Sequence, residues 1–292
     1  MIKIYLDKNV LSHIISSQRG AAETNGVTVD DLKALLKAVA EDKITFLLSF
    51  MHLQEAAYAL RASSPDVAKS ELQLIRDLTD TKQVINFPRD LLINDVISYA
   101  KGEDTQSPFI PNTLDLEQLF STTGDIEERR RLLDETDNDN ANFLAVTTDA
   151  KDNDKAYALQ EFDGKKPSFE EFYKKKVEER IVATVKRVEE ETKSEGLLDA
   201  CKEKGIGGMI DIKSIALAEG ASLSYQYARV FNELSEKQKK RVGDASDLRH
   251  ALLASAADIL ITHDKDFAFW IERIPHNGLE VLDHVHKLVE RL

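Results

Sequence analysis

The sequence predicts an α/β protein, an α/β/α sandwich around a central parallel sheet in the strand order 3-2-1-4-5, with a helical insertion. Three observations lead there. Short apolar runs alternate with helix-period segments over residues 1–102, the same alternation returns over 240–292, and residues 103–239 between them are rich in long charged helix formers. Such alternation marks parallel strands joined by crossover helices.

The elements follow in order. "IKIYLD" (2–7) reads as a buried strand, and "KNVLSHIISS" begins a helix. Residues 30–41 carry apolar side chains at 32, 35, 36 and 39, the helical period. "KITFLLSF" (43–50) is a second buried strand that flows into a helix over 51–62. "SSPD" (63–66) starts another helix, with Pro near the first turn. "KQVINFP" (82–88) is a third strand and "RDLLINDVISYAKG" a further helix, closing this part near Gly102.

"GEDTQSPFIPN" (102–112) reads as a loop. Residues 168–196 read as one exposed helix that starts at Ser168, with Glu171 three residues on as a capping box, and ends at Gly196. The carboxyl-terminal part gives a helix over 244–256, a fourth strand over 258–263, a helix from Asp266, a fifth strand over 278–283 and a last helix. The two ends therefore form one core, 1–102 with 240–292, and 103–239 is the insertion.

At 292 residues with 42% hydrophobic and 31% charged residues, the composition is that of an ordinary globular chain. The longest apolar run, 44–51, is far shorter than the ~20 residues of a membrane helix. The amino terminus enters a strand at once, without a signal core, and the lone Cys201 excludes an internal disulfide framework; a cytoplasmic location is expected. A net charge of −13 argues against whole-surface attraction to nucleic acid, though local basic clusters exist.

Four carboxylates occupy comparable places. Asp7 ends the first strand, Glu55 lies about a turn into the helix after the second, Asp247 lies in the helix before the fourth, and Asp264 follows the fourth. If the chain goes outward through three strands and returns to add the fourth beside the first, Asp7 and Asp264 meet at a topological switch point, where open α/β sheets bind ligands. Converging carboxylates repel unless a cation neutralises them, and hard oxygen donors favour Mg²⁺ or Mn²⁺. Such ions bind phosphates and activate water, which suits phosphodiester hydrolysis.

Four segments, "IYLDKNVLS", "LLSFMHLQEAAYAL", "DASDLRHALLASAADILITHDKDF" and "GLEVLDHVHKL", together resemble the successive motifs of the PIN-domain nucleases. In that family the first strand ends in Asp followed two places on by Asn or Ser, here Asp7 and Asn9. The second strand's Ser precedes a Glu by six residues, here Ser49 and Glu55. Then come Asp-x-x-His, here Asp247 and His250, and Thr-x-Asp-x-Asp-Phe, here Thr262, Asp264, Asp266 and Phe267. The resemblance implies a Mg²⁺- or Mn²⁺-dependent endoribonuclease of single-stranded RNA, with Asp7, Glu55, Asp247 and Asp264 as metal-binding and catalytic carboxylates. It also implies, through relatives that are bacterial toxins, a toxin or defence role, an inhibitory or regulatory protein partner and a homodimer. Two departures stand out: Lys8 sits where the family has Thr or Ser, and the insertion makes the chain about twice the size of the compact toxins, so their own antitoxin partner and substrate choice do not carry over.

Around these sit supporting residues. Asn9, Ser49, Thr262 and His250 suit hydrogen bonds to the carboxylates or strand ends, with a packed His250 equally suitable. Asp244 reads as a helix cap and Asp266 as a helix-start stabiliser or reserve ligand. No base partner for Ser49 or Thr262 is evident, which argues against a nucleophilic serine or threonine. Lys8, Lys174, Lys175, Lys176, Lys239, Lys240 and Arg241 are candidate substrate-strand contacts, although a basic cluster equally suits a solvated helix face. Phe269 and Trp270 could stack on a base, but core packing is the commoner role. The rival expectations are a single-strand- or structure-specific DNA nuclease and a non-catalytic interaction module.

Overall fold

A computed structural model describes residues 1–18, 27–53, 65–79, 82–112, 159–231, 243–275 and 278–292. Its centre is a parallel sheet made from short apolar strands: β1 (Ile2–Leu6), β2 (Ile44–Phe46), β5 (Ile259–Ile261) and β6 (Glu280–Leu282), in the order β2-β1-β5-β6. Ile4 pairs with Phe46 on one side and with Ile259 on the other, and Ile261 pairs with Leu282. The return of the chain to lay β5 beside β1 is the crossover the sequence predicts, and it creates the switch point.

Side chains alternate across these strands, so each face builds its own core. Ile4, Leu6, Ile259 and Ile261 point to one face, where they meet α1 (Lys8–Gln18), α2 (Val29–Ala40) and α3 (Pro65–Leu78). Tyr5 and Leu260 point to the other, where they join residues of α4 (Pro88–Lys101), α5 (Phe169–Thr192), α7 (Lys213–Val230), α8 (Gly243–Leu253) and α9 (Lys265–Glu272). A strand buried on both faces has no polar side to show, which is why these runs are continuously apolar. The short α10 (Val285–Val289) closes the first face beside α2.

The third strand departs from expectation. β3 (Gln83–Ile85) is not laddered into the sheet in the order 3-2-1-4-5; it pairs antiparallel with β4 (Phe109–Pro111), inside the stretch read as a loop. Only isolated bridges, Phe46 to Thr79 and Ser49 to Ile85, tie it to β2, with the Ile85 N–H donating to Leu48 O at 2.8 Å. β2 ends at Phe46 and turns helical at residue 50, so little extended backbone remains for a neighbour to pair with. The free edge of β3 is satisfied instead by β4, whose terminal Pro111 suits an edge.

The helix read as exposed over 168–196 is shorter and half-buried. Ser168 and Glu171 do form the capping box, but α5 stops at Lys193 in the left-handed conformation (φ 54°), and Gly196 instead caps α6 (Leu197–Glu203). Phe172, Tyr173, Ile181, Val185 and Val188 are buried along its inner side. The helix α7, unassigned from sequence, packs against α5, α8 and α9 at once. A helix touched on several sides lacks a single apolar stripe, so its pattern gives little sign of it. The helices α5 and α7 thus cover the second face of the sheet rather than standing off it.

Candidate active site

The carboxyl ends of β1 and β5 lie side by side, and Asp7 is the first residue past β1. Its N–H donates to Ile261 O at 2.9 Å, holding the strand seam closed one residue beyond the ladder, and its own carbonyl accepts from Val10 N at 3.0 Å as α1 begins. The side chain is 5% exposed. Its Oδ2 accepts a hydrogen bond from Thr262 Oγ1 at 2.8 Å and a longer one from Asn9 Nδ2 at 3.4 Å. Thr262 is wholly buried, and its own N–H donates to Leu282 O at 3.0 Å.

Asp264 follows two residues later. It caps α9, one carboxylate oxygen, Oδ1, accepting from Asp266 N at 2.9 Å and Phe267 N at 3.1 Å, while its N–H donates to Thr262 Oγ1 at 3.1 Å. Thr262 therefore links the two acids, touching the side chain of one and the backbone of the other. Asp266 lies in the first turn of α9, where its charge favours the helix start. Asp247 is half-buried on α8.

Below this edge runs a buried polar chain. His52 Nε2 donates to Leu6 O at 2.6 Å, so its Nδ1 is the acceptor that receives the Ser49 N–H at 3.2 Å. Ser49 Oγ lies 3.2 Å from His52 Nδ1 and 3.1 Å from Tyr5 Oη, which in turn lies 2.7 Å from His250 Nδ1. Ser49 thus has a base partner that the sequence did not reveal. Both are buried, Ser49 at 0% and His52 at 4% exposure, and the pair locks the ends of β1 and β2 together. His250 is a packed residue of the same network.

The structure also gathers three histidines that sequence reasoning left apart. His13 Nδ1 and His263 Nδ1 lie 2.5 Å apart with their rings stacked, and the His284 ring stands 5.3 Å from that of His263. Burial first, then the neighbouring His13 and His284, pull the His263 pKa down to about 4. Burial also lowers His13, against the opposing pull of Asp7. His263 and His284 line a cavity of about 730 Å³ together with Thr28, Lys265, Asp283 and Lys287. A signal existed: His263 sits between Thr262 and Asp264, and His284 follows the adjacent strand β6.

Other expected site residues fall elsewhere. Glu55, Lys239, Lys240 and Arg241 lie outside the described residues, as do the side chains of Lys8 and Asp244. On α5, Lys174 pairs with Glu170, Lys176 bridges Glu161 and Glu179, and Lys175 bonds the Glu161 carbonyl and lies over the Phe162 ring. Trp270 is buried edge-on against Tyr225, whereas Phe269 is 54% exposed with the Arg273 guanidinium over its ring.

Among the described residues, no group of three or more His, Cys, Asp or Glu stands close enough to hold a metal ion. Asp7 and Asp264 fit a hard divalent cation in kind, as oxygen donors at a sheet edge. Of the four expected ligands Asp7, Asp247 and Asp264 are described and do not stand together as such a group, and Glu55 lies outside the described residues.

No protein-family model matches the chain. No curated protein and no solved structure matches it significantly. Fold and site define an α/β protein with a parallel central sheet and an acidic switch-point edge. Among the described residues, no helix is long and apolar enough to cross a membrane.

Proposed function

We propose that the chain is a metal-dependent endoribonuclease that hydrolyses phosphodiester bonds of single-stranded RNA at the carboxyl edge of β1 and β5. The observation that carries this reading is the position of Asp7. A buried carboxylate is costly unless it is hydrogen-bonded or meets a cation. Here it is held by Thr262 at a switch point, and the backbone N–H of a second acid, Asp264, donates to the same threonine.

Asp7 and Asp264 are the described residues that would hold Mg²⁺ or Mn²⁺, with Glu55 and Asp247 the further ligands the sequence suggests; the ion when bound neutralises phosphate charge and lowers the pKa of water. The chain's own part is orientation. Thr262 and Asn9 fix Asp7 through Oδ2, and the two helix N–H groups fix Asp264 through Oδ1. Preset carboxylates need no reorganisation as charge develops on the phosphate. Water adds to phosphorus, the bond to the leaving 3′ oxygen breaks, and that oxygen takes a proton, leaving 5′-phosphate and 3′-hydroxyl ends.

The test is cleavage of end-labelled single-stranded RNA by wild type and Asp264→Asn protein, each with Mg²⁺, Mn²⁺ or a chelator. Cleavage by wild type with metal alone is the expected result. If only the matched single-stranded DNA is cut, the chemistry stands and the substrate changes. No cleavage of either polymer removes the enzymatic reading in favour of an interaction module.

A further inference from the structure

We infer that the stacked rings of Phe50 and Phe87 are a platform for an unpaired nucleobase of the strand that is cut beside Asp7. This rests on the nuclease reading and extends it to how the strand is held. The two rings lie parallel, 3° apart in plane with centroids at 4.2 Å. Phe50 is partly buried against the core of the first sheet face and Phe87 is 45% exposed, so the inner ring is anchored and the outer ring faces water.

Their position follows from the strand register. β2 runs parallel to β1 with Ile4 opposite Phe46, and Ser49, three residues past the end of β2, is bridged in parallel to Ile85, two residues before Phe87. Phe50 and Phe87 therefore follow the carboxyl ends of β2 and β3, as Asp7 follows that of β1. The pair stands at the same carboxyl end of the parallel strands as the acidic residues.

Helix capping does not account for Phe87. It occupies the N-cap position of α4, where Ser, Thr, Asp or Asn would bond the first turn, and it makes no side-chain cap bond. The following Pro88 starts the helix without it. Phe269, the other large aromatic residue exposed among the described ones, already has Arg273 over its ring.

Charge supplies little of the binding, so a contact that needs none matters more. A chain of net charge −13 gains little from general attraction to phosphates, and Lys174, Lys175 and Lys176 of α5 are met by carboxylates or a carbonyl. Stacking on an aromatic face is the contribution to single-strand binding that needs no positive charge, and it tolerates any base.

The experiment titrates a single-stranded RNA oligonucleotide carrying 2-aminopurine into the full-length protein with chelator present, and follows quenching of the base. Wild type, Phe87→Ala, Phe87→Leu and Phe87→Tyr are compared, each also assayed for cleavage with Mg²⁺. The expected result is quenching by wild type and Phe87→Tyr, and binding weakened roughly five- to a hundredfold in Phe87→Ala and Phe87→Leu. The leucine variant keeps apolar bulk and separates stacking from burial. Unchanged binding and KM in both variants overturns the platform while cleavage keeps the nuclease. Quenching that depends on Phe87 without any cleavage keeps the platform and removes the nuclease. A substitution that changes self-association and leaves oligonucleotide binding alone assigns the pair to a second copy of the chain and overturns the inference.

Discussion

Thr262 ties the carboxylate of Asp7 to the backbone of Asp264: its hydroxyl donates to Asp7 Oδ2 at 2.8 Å and accepts the Asp264 N–H at 3.1 Å. One buried side chain thus registers the end of β1 against the turn that leaves β5. The acids belong to segments more than 250 residues apart in sequence, and this hydroxyl is their shared contact.

Replacing Thr262 by Val keeps the shape and removes both bonds. A buried carboxylate that loses a charge-assisted donor costs about 1–3 kcal/mol, so urea unfolding of Thr262→Val should show a drop of that size, with reduced cleavage. Thr262→Ser should recover most of both. An unchanged urea midpoint in the valine variant would show that the hydroxyl contributes nothing there.

Asp264 should separate into two functions. Asparagine caps a helix as well as aspartate, whereas alanine loses about 0.5–2 kcal/mol. Asp264→Asn should therefore unfold like wild type and lose cleavage by at least about a hundredfold, a typical cost of removing an oriented electrostatic group. Asp264→Ala should lose stability as well. Thermal melts beside cleavage rates decide; equal melting of the two variants would refute the cap.

Asp31 and His286 make a pH-dependent clasp between α2 and α10, with Nδ1 and Oδ1 2.9 Å apart. The hydrogen bond to Asp31, then its charge, raises the His286 pKa above its ordinary 6.5. Burial pushes Asp31 upward, but hydrogen bonds from His286 and Thr28 outweigh it and leave that carboxyl below 3.8. The histidine part of the stabilisation is complete below pH 6.5 and is lost as pH rises through the raised value. The aspartate part is complete above pH 3.8 and is lost as pH falls through the lowered value. Urea midpoints of wild type and His286→Ala should differ most near pH 5 and converge by pH 9. A constant gap across that range would contradict the linkage.

Gly220 lets α7 pass close to Ile274. A Cβ at this position would run into the Ile274 side chain. Overpacking costs about 1–3 kcal/mol, against about 1 kcal/mol of helix propensity gained by leaving glycine. Gly220→Ala should lower the urea midpoint, and Gly220→Ala combined with Ile274→Val should recover part of the loss. A higher midpoint in the single variant would mean that the contact relaxes freely.

Much of the core was legible because its strands are buried on both faces. "IKIYL", "ITF" and "ILI" are apolar runs of strand length, and the helices beside them carry the period of a one-sided surface. The capping box of Ser168 and Glu171 was legible because it is closed by residues three apart. β4 and α7 were not: β4 is three residues with two prolines nearby, and α7 is packed on several sides.

By itself the sequence determined the α/β character, the parallel strands and the places of Asp7, Thr262 and Asp264 at strand ends, because hydrophobic period and strand termination are local properties. Only the tertiary structure decided that β3 turns to β4, that Ser49 is sealed against His52, that three histidines meet, and that Phe50 and Phe87 stack. Those outcomes depend on which segments become neighbours, a matter of packing between residues far apart in the chain, on which local patterning is silent.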